Sequence, residues 1–118
     1  MNVIAIQKIL REFAEERDWN RFHSPKNIAT ALAVEAAELL ENFQWLTEEE
    51  SRHLPERPED YRAVREEIAD VQIYLLRLAD LLDIGLEDAV RDKLGKNAEK
   101  YPVALAKGNA LKYNRLGK

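Results

Sequence analysis

Apolar residues recur at three- and four-residue intervals along almost the whole chain, and no run alternates in the two-residue manner of a half-buried strand. This period commits the chain to helices. In the first segment Val3, Ile6, Ile9, Leu10 and Phe13 keep the spacing up to about Arg17. After the loop DWNRFHSPKN, Ser24 stands as an N-cap before Pro25, a residue suited to the first helical position, and a second helix is predicted to about Phe43. Thr47 with Glu50 forms a capping-box pattern for a short helix, and Pro55 and Pro58 close that connector. A third helix is predicted from about Glu59 to Leu82 with Gly85 as its stop, and a fourth from about Leu86 to Lys100, ended by Tyr101-Pro102. The expected architecture is all-α, a bundle of four principal helices. It divides into a helical domain over 1–102 and a tail over 103–118 that carries Lys107, Lys112, Arg115 and Lys118 and no acid.

At 118 residues, 46% of them apolar, the chain has the size of one compact domain. It contains no cysteine, which excludes disulfides and thiolate metal sites and suits a reducing compartment, so a cytoplasmic protein is expected. The N-terminus MNVIAIQKILREF interleaves polar residues at helical spacing and lacks the continuous apolar core of a signal peptide, and no stretch reaches transmembrane length. No membrane partner is expected. The net charge is −4, and with the basic tail set aside the remainder is more acidic still. Such a body is a poor binder of nucleic-acid polymers, and a polyanionic ligand would need metal ions or the tail as intermediary.

The second and third helices carry the informative carboxylates. At roughly 100° per residue, Ile28, Leu32, Ala36, Leu39 and Phe43 define an inner stripe, and Glu35 falls about 20° from Ile28. Glu38 lies beside it on the flank, whereas Glu41 projects outward. On the third helix Val64, Ile68, Val71, Leu75 and Leu82 form the stripe, with Glu67 and Asp70 along one edge and Glu66 turned further out. Each pair alone is the kind of spacing that most often belongs to a solvated face. Two pairs on inward edges are different, because like charges repel and a desolvated carboxylate needs a cation or a proton. Carboxylates without cysteine or a neighbouring histidine favour a hard ion, Mg²⁺ first and Mn²⁺ second, over zinc. A di-iron bundle would want E-x-x-H motifs, and neither His23 nor His53 stands three residues after a glutamate.

The segments VEAAELLENFQW, REEIADVQIYLLRLAD and KLGKNAEKYP, in that order, resemble the all-α nucleoside triphosphate pyrophosphatases of the MazG-like superfamily. The segment ERDWNRFHSPKN is similar to the dCTP pyrophosphatase branch in particular. The resemblance runs from about Phe13 to Tyr113. It implies that Glu35, Glu38, Glu67 and Asp70 are the Mg²⁺ ligands, that Trp19 and His23 belong to the substrate pocket with Trp45 and Tyr74 at further pocket positions, and that Lys93, Asn97 and Tyr101 lie near the triphosphate. Lys96 and Lys100 are secondary candidates, since lysines near a helix C-terminus also serve its dipole. The family further implies a homo-oligomer, usually a tetramer, with sites assembled across subunits.

The expected function is Mg²⁺-dependent hydrolysis of a deoxynucleoside triphosphate, dCTP or a modified analogue, to the monophosphate and pyrophosphate by metal-activated water at the α-phosphorus, with Glu38 as general base. The same chemistry on dUTP or a noncanonical house-cleaning substrate is the alternative within enzymes. A non-catalytic helical interaction module is the alternative outside them. A DNA-binding regulator is disfavoured, because no helix outside the tail region is basic, and a P-loop enzyme is excluded by the absence of a G-x-x-x-x-G-K-[ST] segment among the four glycines.

Overall fold

A computed structural model describes residues 1–117. Among them every regular element is helical: α1 (Val3–Glu16), α2 (Pro25–Glu41), α3 (Glu48–Arg52), α4 (Pro58–Leu81), α5 (Leu86–Lys100) and α6 (Val103–Ala106), with 3₁₀ turns at Asn20–Phe22, Leu54–Glu56 and Tyr113–Arg115. The four long helices are the predicted ones. The 3₁₀ turns and α6 are too short to impose a period and were not anticipated. No helix among the described residues is long and apolar enough to cross a membrane.

The starts follow from side chains that satisfy orphan backbone donors. Asn2 accepts from the Ala5 amide at 3.0 Å and Ser24 from the Asn27 amide at 3.1 Å, with Pro25 in the first turn of α2. Thr47 and Glu50 form a complete capping box on α3, each side chain accepting from the other's backbone amide at 3.1 and 2.9 Å. The stop of α4 differs from expectation. Asp83, not Gly85, takes the left-handed conformation after the helix (φ 53°), while Gly85 has φ −71° and caps the start of α5. Asp18 does the same after α1 (φ 54°); a short polar side chain is tolerated in a place that usually takes glycine.

The chain forms two compact units, Met1–Asp83 and the segment from Ile84 onward. In the first, α2 packs along α4, and α1 and the Leu54–Glu56 turn also rest on α4. The buried apolar residues are Ala14, Ile28, Leu54, Val64, Leu76 and Ala79, all in this unit. Gln7 donates to the Leu76 carbonyl at 3.0 Å and Arg11 pairs with Asp80 at 3.0 Å, so polar links as well as packing fix α1 on α4. Two parts of the expected inner stripes are not inward. Ala36 is exposed, and on α4 Ile68, Leu75 and Leu82 are 53%, 37% and 49% exposed. The reason is that α4 buries Val64, Leu76 and Ala79 against its neighbours, which leaves the seven-residue series Ile68, Leu75, Leu82 uncovered within one chain.

In the second unit α5 is amphipathic but fully without buried residues, and its Arg91 pairs with Glu87 one turn earlier at 3.1 Å. Beyond it Tyr101 meets Tyr113 edge-to-face at 6.3 Å, and the Lys100 ammonium sits over the Tyr113 ring at 4.8 Å. The tail thus folds back on the end of its helix.

Candidate metal centre and aromatic pocket

The packing of α2 on α4 decides where the acidic pairs point. One carboxylate oxygen from each of Glu35, Glu38 and Glu67 lies within 4.8 Å of the others. Glu35 Oε2 and Glu67 Oε2 are shut off from solvent and have no hydrogen-bond partner. Unpaired oxygens of this kind are costly unless a proton or a cation compensates them. Among the described residues the compensation at hand is protonation: burial, reinforced by Glu67, Glu38 and Asp70, pushes Glu35 up to about 7. A divalent ion is the other. Three carboxylates converging from two packed helices, two of them with a shielded oxygen left unpartnered, fit a hard cation. Glu41 and Glu66, expected to turn outward, are exposed.

Asp70 stands one turn beyond Glu67. It is not one of the three converging carboxylates; it lines a neighbouring pocket and adds to the negative field that raises Glu35. That pocket, about 320 Å³, is also lined by Leu10, Phe13, Trp19, His23, Ile73, Tyr74 and Arg77. The Trp19 ring meets Phe13 edge-on at 5.7 Å and His23 at 6.1 Å, and it is only half covered, so it is a pocket wall rather than a core anchor. Tyr74 lines the pocket beside Asp70, and burial, then the carboxylates of Glu35, Asp70 and Glu38, raise its phenol. A more open depression at Arg57, Pro58, Glu59 and Asp60 is formed by one short stretch in which Arg57 pairs with Asp60 at 2.9 Å. It offers no comparable set of groups.

The remaining sequence candidates are placed differently. Trp45 follows α2 with 86% of its surface exposed and does not line the pocket. Lys93, Asn97 and Tyr101 recur every four residues and share one face of α5 and its end; Lys93 is exposed and Asn97 half-buried. Lys96 is exposed, and Lys100 is engaged by Tyr113. The structure adds Phe13 to the pocket wall, and Arg77, 6% exposed, which donates to His23 Nδ1 at 3.3 Å and Asn20 Oδ1 at 2.8 Å. The signal was a charge inside the apolar run YLLRLAD, seven residues after Asp70 and therefore on its side of α4.

An all-α chain that sets three carboxylates from two packed helices against one another, beside a half-open aromatic pocket, belongs to the helical proteins with an acidic, cation-compatible centre. Residues 30–116 match the MazG-like family, and the chain belongs to it. It is 42% identical over 111 residues to dCTP pyrophosphatase 1 of Rattus norvegicus and 41% identical to that of Homo sapiens, in each case over 94% of this chain and 65% of the relative. The chain thus spans about 65% of the length of these curated relatives. Among solved structures it is similar to a pyrophosphatase from Archaeoglobus fulgidus, with a TM-score of 0.76 and 45% identity over 86% of this chain and 94% of that one.

Proposed function

We propose that the protein is a Mg²⁺-dependent nucleotide pyrophosphohydrolase that converts a deoxynucleoside triphosphate, dCTP or a modified analogue, to the monophosphate and pyrophosphate. The observation that carries this reading is the convergence of Glu35, Glu38 and Glu67, two of which, Glu35 and Glu67, also hold a solvent-shielded oxygen without a partner, beside an aromatic pocket that Asp70 lines. Support comes from the family, from relatives named dCTP pyrophosphatase and from a structural neighbour named a pyrophosphatase. Glu35, Glu38 and Glu67 would hold the ion, with Asp70 completing the set from the pocket side. Bound there, Mg²⁺ supplies compensation of phosphate charge and a lowered pKa for water.

The chain's own groups do the rest. Trp19 and Phe13 would offer faces for a base, and His23 and Tyr74, which line the same pocket, would offer polar contacts. Glu38 takes the proton of the attacking water. For Lys93, Asn97 and Tyr101 the support is the family pattern; they are proposed to hold the outgoing phosphates, where lysine compensates charge and asparagine donates hydrogen bonds. A homo-oligomer, a tetramer in this reading, accounts for the uncovered series Ile68, Leu75 and Leu82. Trp45, outside the pocket of its own chain, would then serve the site of a neighbouring copy.

The test is a panel of ribo- and deoxynucleoside triphosphates incubated with Mg²⁺, with monophosphate and pyrophosphate both quantified. Equal amounts of dCMP and pyrophosphate, lost in Glu35→Gln and Glu67→Gln but kept in the outward Glu41→Gln, are expected. No turnover of any triphosphate would leave a helical interaction module as the better reading.

A further inference from the structure

Arg77 is a buried cation that the proposed chemistry does not use. Its surroundings give it one geometry. On α4 it lies within the first unit at 6% exposure, donates through Nη2 to Asn20 Oδ1 at 2.8 Å and through Nε to His23 Nδ1 at 3.3 Å, and has Asp80 Oδ2 3.8 Å from Nη1. Asp80 is itself held from α1 by Arg11 at 3.0 Å. A chain of partners therefore runs from α1 through α4 to the 3₁₀ turn that precedes α2, and it ends on the imidazole in the pocket wall.

A guanidinium has donors only, so the nitrogen it approaches must be an acceptor. We infer that Arg77 is a positioning residue that locks His23 as the neutral tautomer carrying its proton on Nε2, so that the pocket presents a hydrogen-bond donor and selects a base whose polar edge offers a ring-nitrogen acceptor. The step from tautomer to base rests on the pyrophosphohydrolase reading. With Nδ1 occupied, Nε2 is the ring's one remaining polar atom, and His23 lines the same pocket as Trp19 and Tyr74. Cytosine offers an acceptor at N3 with a second at O2, whereas uracil carries a proton on N3. A donor therefore suits the first and leaves a donor facing a donor at N3 of the second. Two further facts agree with the lock. Burial, then the Arg77 charge, lowers the His23 pKa, and both favour the neutral ring. The other histidine, His53, has no guanidinium at its ring and lies exposed between Glu49 at 2.8 Å and Glu56 at 3.7 Å.

The test is ¹⁵N NMR of the imidazole nitrogens in the full chain in mildly alkaline buffer. Only two histidines are present, so His53→Gln assigns the signals. The wild type should show His23 Nδ1 at the acceptor end of the range and Nε2 at the protonated end; a proton on Nδ1 would overturn the proposal without any variant. Arg77→Met keeps an unbranched side chain in the same space, and Arg11 still pairs with Asp80, so the fold should persist. It should bring in a population of the Nδ1–H tautomer and lower the dCTP-to-dUTP ratio of kcat/KM about three- to tenfold, the range one neutral hydrogen bond supports. An unchanged tautomer in Arg77→Met would overturn the lock, and a changed tautomer with unchanged discrimination would overturn the specificity role alone. If wild type hydrolyses no triphosphate, the pyrophosphohydrolase reading fails while the spectrum still decides the lock.

Discussion

A carboxylate oxygen without a partner is an unstable arrangement, and Glu35 makes its consequence measurable. Burial first, then its acidic neighbours, raise its pKa from the usual 4.5 to about 7 in the folded chain. In the unfolded chain it ionises near 4.5, so between these values the folded state binds more protons. Its contribution to stability is full below about 4.5 and is lost as pH rises through about 7. Metal-free protein should accordingly lose melting temperature across that window, and Glu35→Gln, neutral throughout, should lack this component. Added Mg²⁺ needs the ionised carboxylate, so its stabilisation should be larger above the window than below it. Calorimetric melts of both proteins at several pH values, with and without the ion, check the prediction. A Glu35→Gln protein with the same pH slope as wild type would remove Glu35 from the cluster's electrostatics.

At the scale of elements, α2 is the support on which the site depends, because it carries Glu35 and Glu38 and begins two residues after His23. Ser24 caps it by accepting from the Asn27 amide. Ser24→Ala should cost about 1 kcal/mol of stability, read from chemical denaturation, and should loosen the His23 turn while leaving α4 intact. A cost near zero would mean that Pro25 and packing of Ile28 set the helix start. The sequence made this level legible where a feature repeats: the three-four period located the long helices, and Ser24-Pro25 and Thr47–Glu50 located two starts. Single-residue events were less legible. Gly85 looked like the stop of α4, yet Asp83 takes the left-handed conformation, since aspartate can do so and nothing in composition distinguishes the two. Angular position on α2 and α4 was enough to bring Glu35, Glu38 and Glu67 together. It could not show that Asp70 faces the pocket or that Arg77 is buried, because both depend on which neighbours cover α4, nor that Trp45 stands in solvent, because it lies past the end of α2 where the helical period no longer applies.

For the whole molecule, the uncovered series Ile68, Leu75 and Leu82 on α4 is the observation with the widest consequence. One chain covers only part of the apolar surface of its longest helix, and a second copy is the proposed cover. Light scattering should give a multiple of the 13.7 kDa chain mass at micromolar concentration, and Leu75→Glu should move it toward one chain. The mass of a lone wild-type chain would contradict this. The central claim, however, is chemical: with the acidic centre beside the pocket proposed to take the base, water would be directed at the phosphate nearest the nucleoside. Hydrolysis of dCTP with Mg²⁺ in ¹⁸O-labelled water tests it most directly. The account predicts label in dCMP and none in pyrophosphate. Label in pyrophosphate would place the attack on the β-phosphorus, and release of dCDP with orthophosphate would contradict a pyrophosphohydrolase altogether.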